Sequence, residues 1–526
     1  MMNEYRQTLE QANSLQKTEN GAIGYSTTGQ KLVDLNFTVP SNHNNVSVED
    51  IQKFVQALNE DLVSTVKWMF YLRDVREGLG ERDSFVNLFM ALYAYDEEVA
   101  TKVLPLIPEY GRWKDVIDIF ARTADGSTMA NAIAELITKQ LVEDCVHISA
   151  GKSVSLLAKW MPSVNASKRS RKVAARLCKH LELTFEDYRH TLAALRRYTD
   201  VTEVKTCSGE WHEIDYNKVS SNANARYLKA FMKHDQERRK KYLAALAKPL
   251  VTGAVMHASA LYPHEVYAKY SPAGLYDYSH MNVVVDEGIE ALWANLKDIP
   301  TSGNTMVVVD GSGSMEGHHI NGSNIMAIEV ARSLGVFFSE RCTGEFKDKV
   351  IEFSATPRYI DLSGCKTLAE KYNKLSNYDD CSNTNLEKVF DLLLMTAMRN
   401  HLSQEELPER LLIVSDMEFD HSGEFSSQYH KRPHEEVMAK YQTLFETIKE
   451  RWDTAGYKMP QIVFWNVSSR TNTIPVTANE VGVTLVSGYS VNNIKMILAN
   501  KADAWEALKS VLDSERYDVV EAAING

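Results

Sequence analysis

Cysteine is scarce in this 526-residue chain. The six present (Cys145, Cys178, Cys207, Cys342, Cys365 and Cys381) are scattered, with no C-x-x-C pair. That pattern argues against a disulfide framework and against a zinc ribbon, and fits reduced thiols in a cytosol-like compartment. No apolar run reaches the roughly 18 residues that a membrane-spanning helix needs. The opening Met1-Met2-Asn3-Glu4-Tyr5-Arg6 lacks the apolar stretch of a secretory signal. A cytoplasmic protein without membrane contact is therefore expected. What remains is ordinary globular material, 44% hydrophobic and 24% charged, in a chain long enough for two or more domains.

Charge is unevenly spread. The formal net charge is −12, yet residues 151–250 hold 21 Lys and Arg against 10 Asp and Glu, so the remainder carries −23. A basic block in an acidic protein is the footprint of a polyanion site, and equally compatible with a solvated Lys/Arg-rich helical face. Its cations fall in clusters. Lys168, Arg169, Arg171, Lys172, Arg176 and Lys179 share one helix and its leading loop, Arg189, Arg196 and Arg197 the next, and Arg238, Arg239, Lys240 and Lys241 a third. Tyr188 and Tyr198 lie among them as candidates for base stacking, although core or rim positions suit them better.

The pattern predicts three parts: a weakly structured segment over 1–45, helices over 46–284, and alternating strands and helices over 285–526. Helices are expected from Ser47 to about Arg73, then near 81–96, 97–106, 112–123, 127–147, 165–182, 184–197 and 223–247. Short connections suggest an α-solenoid, HEAT-like array without a fixed repeat. Beyond Gly303, strands are expected at 305–310, 349–354, 411–415, 461–467 and 482–486. Helices are expected at 323–341, 385–399, 434–451, 490–499 and 502–513. Such alternation predicts a parallel sheet covered on both faces, so the fold class is α plus α/β, with ligands at the carboxyl ends of strands.

The most informative stretch is MVVVDGSGSM at 306–315. An apolar strand ends in Asp310, and Ser312 and Ser314 follow at alternate positions. One carboxylate and two hydroxyls are hard oxygen donors, suited to Mg²⁺ or Mn²⁺ rather than Zn²⁺. A second apolar run, LLIVSD at 411–416, ends in Asp416, and the loop before 386 offers the Thr384 hydroxyl. Other chemistries fit poorly. The third glycine of a dinucleotide loop is replaced by Glu316, and no G-x-S-x-G elbow is present. An aspartyl-phosphate enzyme needs an acid two residues after its nucleophile, where Ser312 stands. A non-catalytic site is therefore expected. The histidines nearby (His318, His319, His421, His430 and His434) lack zinc spacing and read as a polar surface loop.

D-x-S-x-S after an apolar strand resembles the metal-ion-dependent adhesion site of von Willebrand factor A domains. That resemblance implies a doubly wound, Rossmann-like domain whose cation is held by Asp310, Ser312, Ser314, Thr384 and Asp416, with an open position for a partner's carboxylate. The sequence departs from the pattern at Cys381-Ser382-Asn383, where glycines are missing, and at Met417, where a glycine usually follows the aspartate. In the helical half, RDVREGLGER at 73–82, LPLIPEYGRWKD at 104–115 and SLLAKWMPS at 155–163 resemble a family known only as a domain of unknown function. YRHTLAALR at 188–196 and WHEIDYNKVSS at 211–221 are similar, more distantly, to the TROVE module of the Ro ribonucleoproteins. This implies a non-catalytic RNA-binding protein whose basic helical surface holds RNA. The alternative is a metal-dependent protein-interaction or assembly module without nucleic-acid binding.

Overall fold

The computed structural model describes residues 14–199, 201–271, 282–300, 303–377, 383–420 and 443–526. The chain forms two compact units, one from Met1–Ala57 with Ala258–Ser514 and one from Leu58–His257 with Glu515–Gly526. The architecture is α plus α/β. Among the described residues, no helix is long and apolar enough to cross a membrane.

The first unit opens with an antiparallel hairpin of β1 (Leu15–Lys17) and β2 (Ile23–Tyr25), followed by a helix at Lys31–Thr38. Its centre is a six-stranded sheet of β3 (Thr305–Asp310), β4 (Lys349–Phe353), β5 (Arg358–Asp361), β6 (Arg410–Ser415), β7 (Gln461–Asn466) and β8 (Val483–Ser487). The lateral order is β5-β4-β3-β6-β7-β8. All neighbours are parallel except β4 and β5. Strands β3 and β6 read as continuous apolar runs because both faces are covered, and every residue of β3 is buried. The helix Ala327–Ser339 is buried along its length, and Gly335 permits its approach, since a Cβ there would lie 2.6 Å from Val309 Cγ2. The order reverses between β3 and β6, and crevices at such reversals are where doubly wound sheets bind ligands. The expected strands are present. Edge strand β5 was not expected, because Ile360 is its one buried residue.

Residues 1–45 were expected to be weakly structured, and the described part is instead integral to this unit. Tyr25 and Ile474 exchange backbone hydrogen bonds at 2.7 and 2.8 Å. Asn466 Nδ2 donates to Phe37 O at 3.0 Å, and Ser487 Oγ to Asn36 O at 2.7 Å. These partners lie more than 400 residues away, so no local periodicity announces them.

The second unit is helical. Its main helices are Leu62–Arg73, Asp83–Tyr95, Trp113–Arg122, Thr128–Ser149, Lys168–His180, Phe185–Tyr198 and Gln236–Leu246, with Glu515–Asn525 from the far end of the chain. The single helix expected up to Arg73 breaks at Asp61, whose carboxylate caps Ser64 N at 2.9 Å. The one expected over 223–247 is three: Ser221–Arg226, Leu228–His234 and Gln236–Leu246. Tyr517 stacks on Tyr110 at 5.8 Å, and Arg516 Nε donates to buried Asp74 at 2.8 Å. The division at 284/285 therefore gives way to one in which residues 258–284 go with the sheet unit and 515–526 with the helices.

Candidate functional site

Asp310, at the end of β3, is fully buried. Its carboxylate accepts from Ser312 N at 2.9 Å and from the Ser415 hydroxyl at 2.5 Å. Ser312 Oγ lies 3.1 Å from Ser314 Oγ, which donates to Asp416 Oδ2 at 2.7 Å. Asp310, Ser312, Ser314 and Asp416 thus form one linked group across the sheet reversal. Gly311 makes the turn possible, since a Cβ there would sit 2.8 Å from Glu352 Oε1, itself ion-paired to Arg332 at 2.9 Å.

Thr384 is buried nearby and joins indirectly. Asn20 Nδ2 reaches its hydroxyl at 3.4 Å and donates to Glu418 O at 2.6 Å. Asn383 is exposed, while Cys381 and Ser382 lie outside the described residues, as do His421, His430 and His434. His318 is half-buried and His319 exposed. Met417, where the sequence departs from the A-domain pattern it resembles, has φ 64°, the left-handed conformation that a glycine adopts freely.

The donors fit a hard cation. Burial, then the neighbouring Asp416 carboxylate, raises the Asp310 pKa, and burial raises that of Asp416. Two carboxylates are thus held together in a dry place where their charge is costly. The guanidinium of Arg470, 3.4 Å from Asp416 Oδ2, offsets part of it. Among the described residues, no group of three or more His, Cys, Asp or Glu side chains is placed to hold a metal. The candidate set is two carboxylates with three hydroxyls, the chemistry of Mg²⁺ rather than zinc.

Sequence reasoning missed three participants: Glu19, Arg470 and Glu418. Fully buried Glu418 accepts from Glu19 N at 2.8 Å, Arg470 N at 2.9 Å and Thr471 N at 2.8 Å. Glu418 stands two residues after Asp416, and no residue spacing signals its partners.

The thirteen candidate cations of the helical unit divide. Arg239 is 1% exposed, its guanidinium 5.0 Å from the Tyr216 and Phe231 rings and 5.1 Å from Tyr242. Arg196 donates to Ala158 O at 2.8 Å and Met161 O at 2.7 Å. Arg176 pairs with Asp125, lies over Phe120 and donates to Thr123 O at 2.9 Å. Arg238 donates to His212 O at 2.6 Å and Ile214 O at 2.7 Å. These four hold the fold together. Lys168, Arg169, Arg171, Lys172, Lys179, Arg189, Arg197, Lys240 and Lys241 are exposed. Tyr188 is buried, its hydroxyl on Pro162 O at 2.8 Å, so it offers no stacking face, whereas Tyr198 is exposed.

Comparison with known proteins adds kinship. The model described as Domain of unknown function (DUF7788) matches residues 304–523. The one described as Domain of unknown function (DUF2828) matches 18–132 and 127–300, beginning in the β1–β2 hairpin. Uncharacterized protein L728 of Acanthamoeba polyphaga mimivirus is 27% identical over 533 residues, spanning 95% of this chain and 87% of its own. The DUF2828 match covers more than half of the sequence, and the chain belongs to that family.

Proposed function

We propose that this is a non-catalytic RNA-binding protein. Its helical unit presents a basic face to the phosphate backbone, and its sheet unit is a von Willebrand A-type domain with a site for Mg²⁺ or Mn²⁺. The observation that carries the reading is the start of the helix Lys168–His180. Lys168, Arg169, Arg171 and Lys172 stand exposed there, and among the described residues none of their side chains has an ion-pair or hydrogen-bond partner. Cations in the first turn work against the helix dipole, so folding gives no reason for them. A polyanion does.

The test is anisotropy titration of a hairpin RNA and a single-stranded RNA across a salt series. Changing Lys168, Arg169, Arg171 and Lys172 together to Glu is expected to abolish binding at near-physiological salt. Changing them to Gln should flatten the log–log salt slope by about 3 for the single strand. Affinity indifferent to salt and to both variants rules the reading out.

The strand order and the Asp310–Asp416 group support the A-type assignment and with it a second reading, a metal-dependent protein-interaction module. Asp310, Ser312, Ser314, Thr384 and Asp416 would hold the cation. When bound, it supplies a positive docking point for an anionic group of a partner.

A further inference from the structure

The β1–β2 turn is strapped to the loop that follows Asp416. Thr18 Oγ1 donates to Phe419 O at 2.6 Å, Glu19 N to Glu418 Oε2 at 2.8 Å, and Asn20 Nδ2 to Glu418 O at 2.6 Å. Gly21 bridges Asp420. The backbone of the turn is pinned, while the Glu19 side chain is 57% exposed. Its Oε2 lies 2.6 Å from Arg470 Nη2, and the same nitrogen lies 3.4 Å from Asp416 Oδ2. One guanidinium nitrogen thus stands between two carboxylates, one of them buried in the cation site. The two carboxylate oxygens can be no more than about 6 Å apart. Oxygens at adjacent positions on one octahedral Mg²⁺ are about 3 Å apart. The Glu19 side chain is more than half exposed, which leaves it free to change rotamer and close that difference.

We propose that Glu19 is a built-in ligand of the cation site: when a divalent cation is bound at Asp310 and Asp416, the Glu19 carboxylate leaves Arg470 and takes the cation's outward position. The chain thereby supplies the group that a partner would otherwise bring, and an external carboxylate must displace Glu19 to dock. This rests on the cation reading above. Arg470 is the counter-ion that holds Glu19 beside the site before the exchange. Electrostatics favours the exchange, since a divalent charge between the carboxylates replaces a monovalent one.

The experiment uses the full-length protein, Glu19→Gln, Glu19→Asp and Asp310→Asn, with Mn²⁺ as the probe. Calorimetric titration gives affinity, and water-proton relaxation counts the exchangeable waters on bound Mn²⁺. Glu19→Gln is expected to weaken binding about tenfold and to add one bound water, which millimolar acetate then removes. Glu19→Asp should fall between the two, and metal-free thermal unfolding should stay unchanged, the side chain being exposed. Mn²⁺ binding that needs Asp310 but shows the same affinity and water count in Glu19→Gln overturns the proposal and leaves the cation site standing. Weakened binding without an added water also overturns it, because removal of a distant charge accounts for that pattern. No Mn²⁺ binding by the unaltered protein removes both the proposal and the cation reading.

Discussion

Met417 carries two opposed energies. Its left-handed backbone, φ 64°, costs a non-glycine residue about 1 kcal/mol. Its side chain is 1% exposed and lines an apolar cavity with Phe419, Phe445, Ile448 and Phe464. Deleting a buried methionine costs about 2–5 kcal/mol, so packing outweighs backbone relief. Met417→Gly is therefore expected to lower stability by roughly 1–4 kcal/mol, measured by denaturant unfolding, although glycine adopts this backbone conformation freely. A stabilised variant would show that the backbone term dominates.

His264 is a second residue with a definite sign. It is buried beside Tyr262 and Tyr489, and burial, aided by His43, pushes its pKa down to about 3. The folded state holds it neutral, while the unfolded chain takes up a proton near pH 6.5. The stability from the neutral form is complete above about pH 6.5 and is lost as pH falls toward 3, by about 1.4 kcal/mol per unit. His264→Gln should flatten this part of an acid-unfolding profile. A variant profile parallel to the original would refute the assignment.

At the scale of elements, the helix Lys168–His180 sets exposed cations apart from the stripe that folds it. Its N-cap Ser167 accepts from Ser170 N, and its buried stripe is Val173, Ala174, Leu177 and Cys178. The cations lie off that stripe. Reversing Lys168 and Arg169 to Glu complements the dipole and is expected to raise stability by about 0.3–1 kcal/mol each while RNA binding falls. Thermal unfolding and anisotropy on one preparation check both halves. Loss of both together would assign the cations to folding. Elements of this kind were legible in the sequence because their signals are local. The apolar runs of β3 and β6 end in Asp310 and Asp416 within a few residues. Strand β5 and the break at Asp61 were not legible, since a one-residue apolar signal and a mid-helix cap compete with stronger neighbouring periodicity.

At the scale of the whole molecule, each unit is completed by a distant piece of chain. The hairpin and the helix Lys31–Thr38 complete the sheet unit, and Glu515–Asn525 completes the helical one. A fragment of residues 285–526, cut where the composition changes, lacks the partners of Asn466 and Ser487 and frees a helix whose Tyr517, Val520 and Ile524 are buried in the intact protein. It is expected to bind a hydrophobic dye and to unfold without a sharp transition, in contrast to the full chain. A cooperative, dye-free fragment would show that the N-terminal segment is dispensable.

The sequence by itself determined the two classes of structure, the strand-end acids with their alternating hydroxyls, and the clustering of cations. All are set by near neighbours, through apolar periodicity, side-chain alternation and local charge density. Only the tertiary structure decided which cations are free. Arg176, Arg196, Arg238 and Arg239 differ from Lys168 in what folding brings against them, not in their neighbours along the chain. It alone brought Glu19 and Arg470 to Asp416, because a salt bridge reaching across about 450 residues leaves no periodicity and no spacing for a reader of the chain to find.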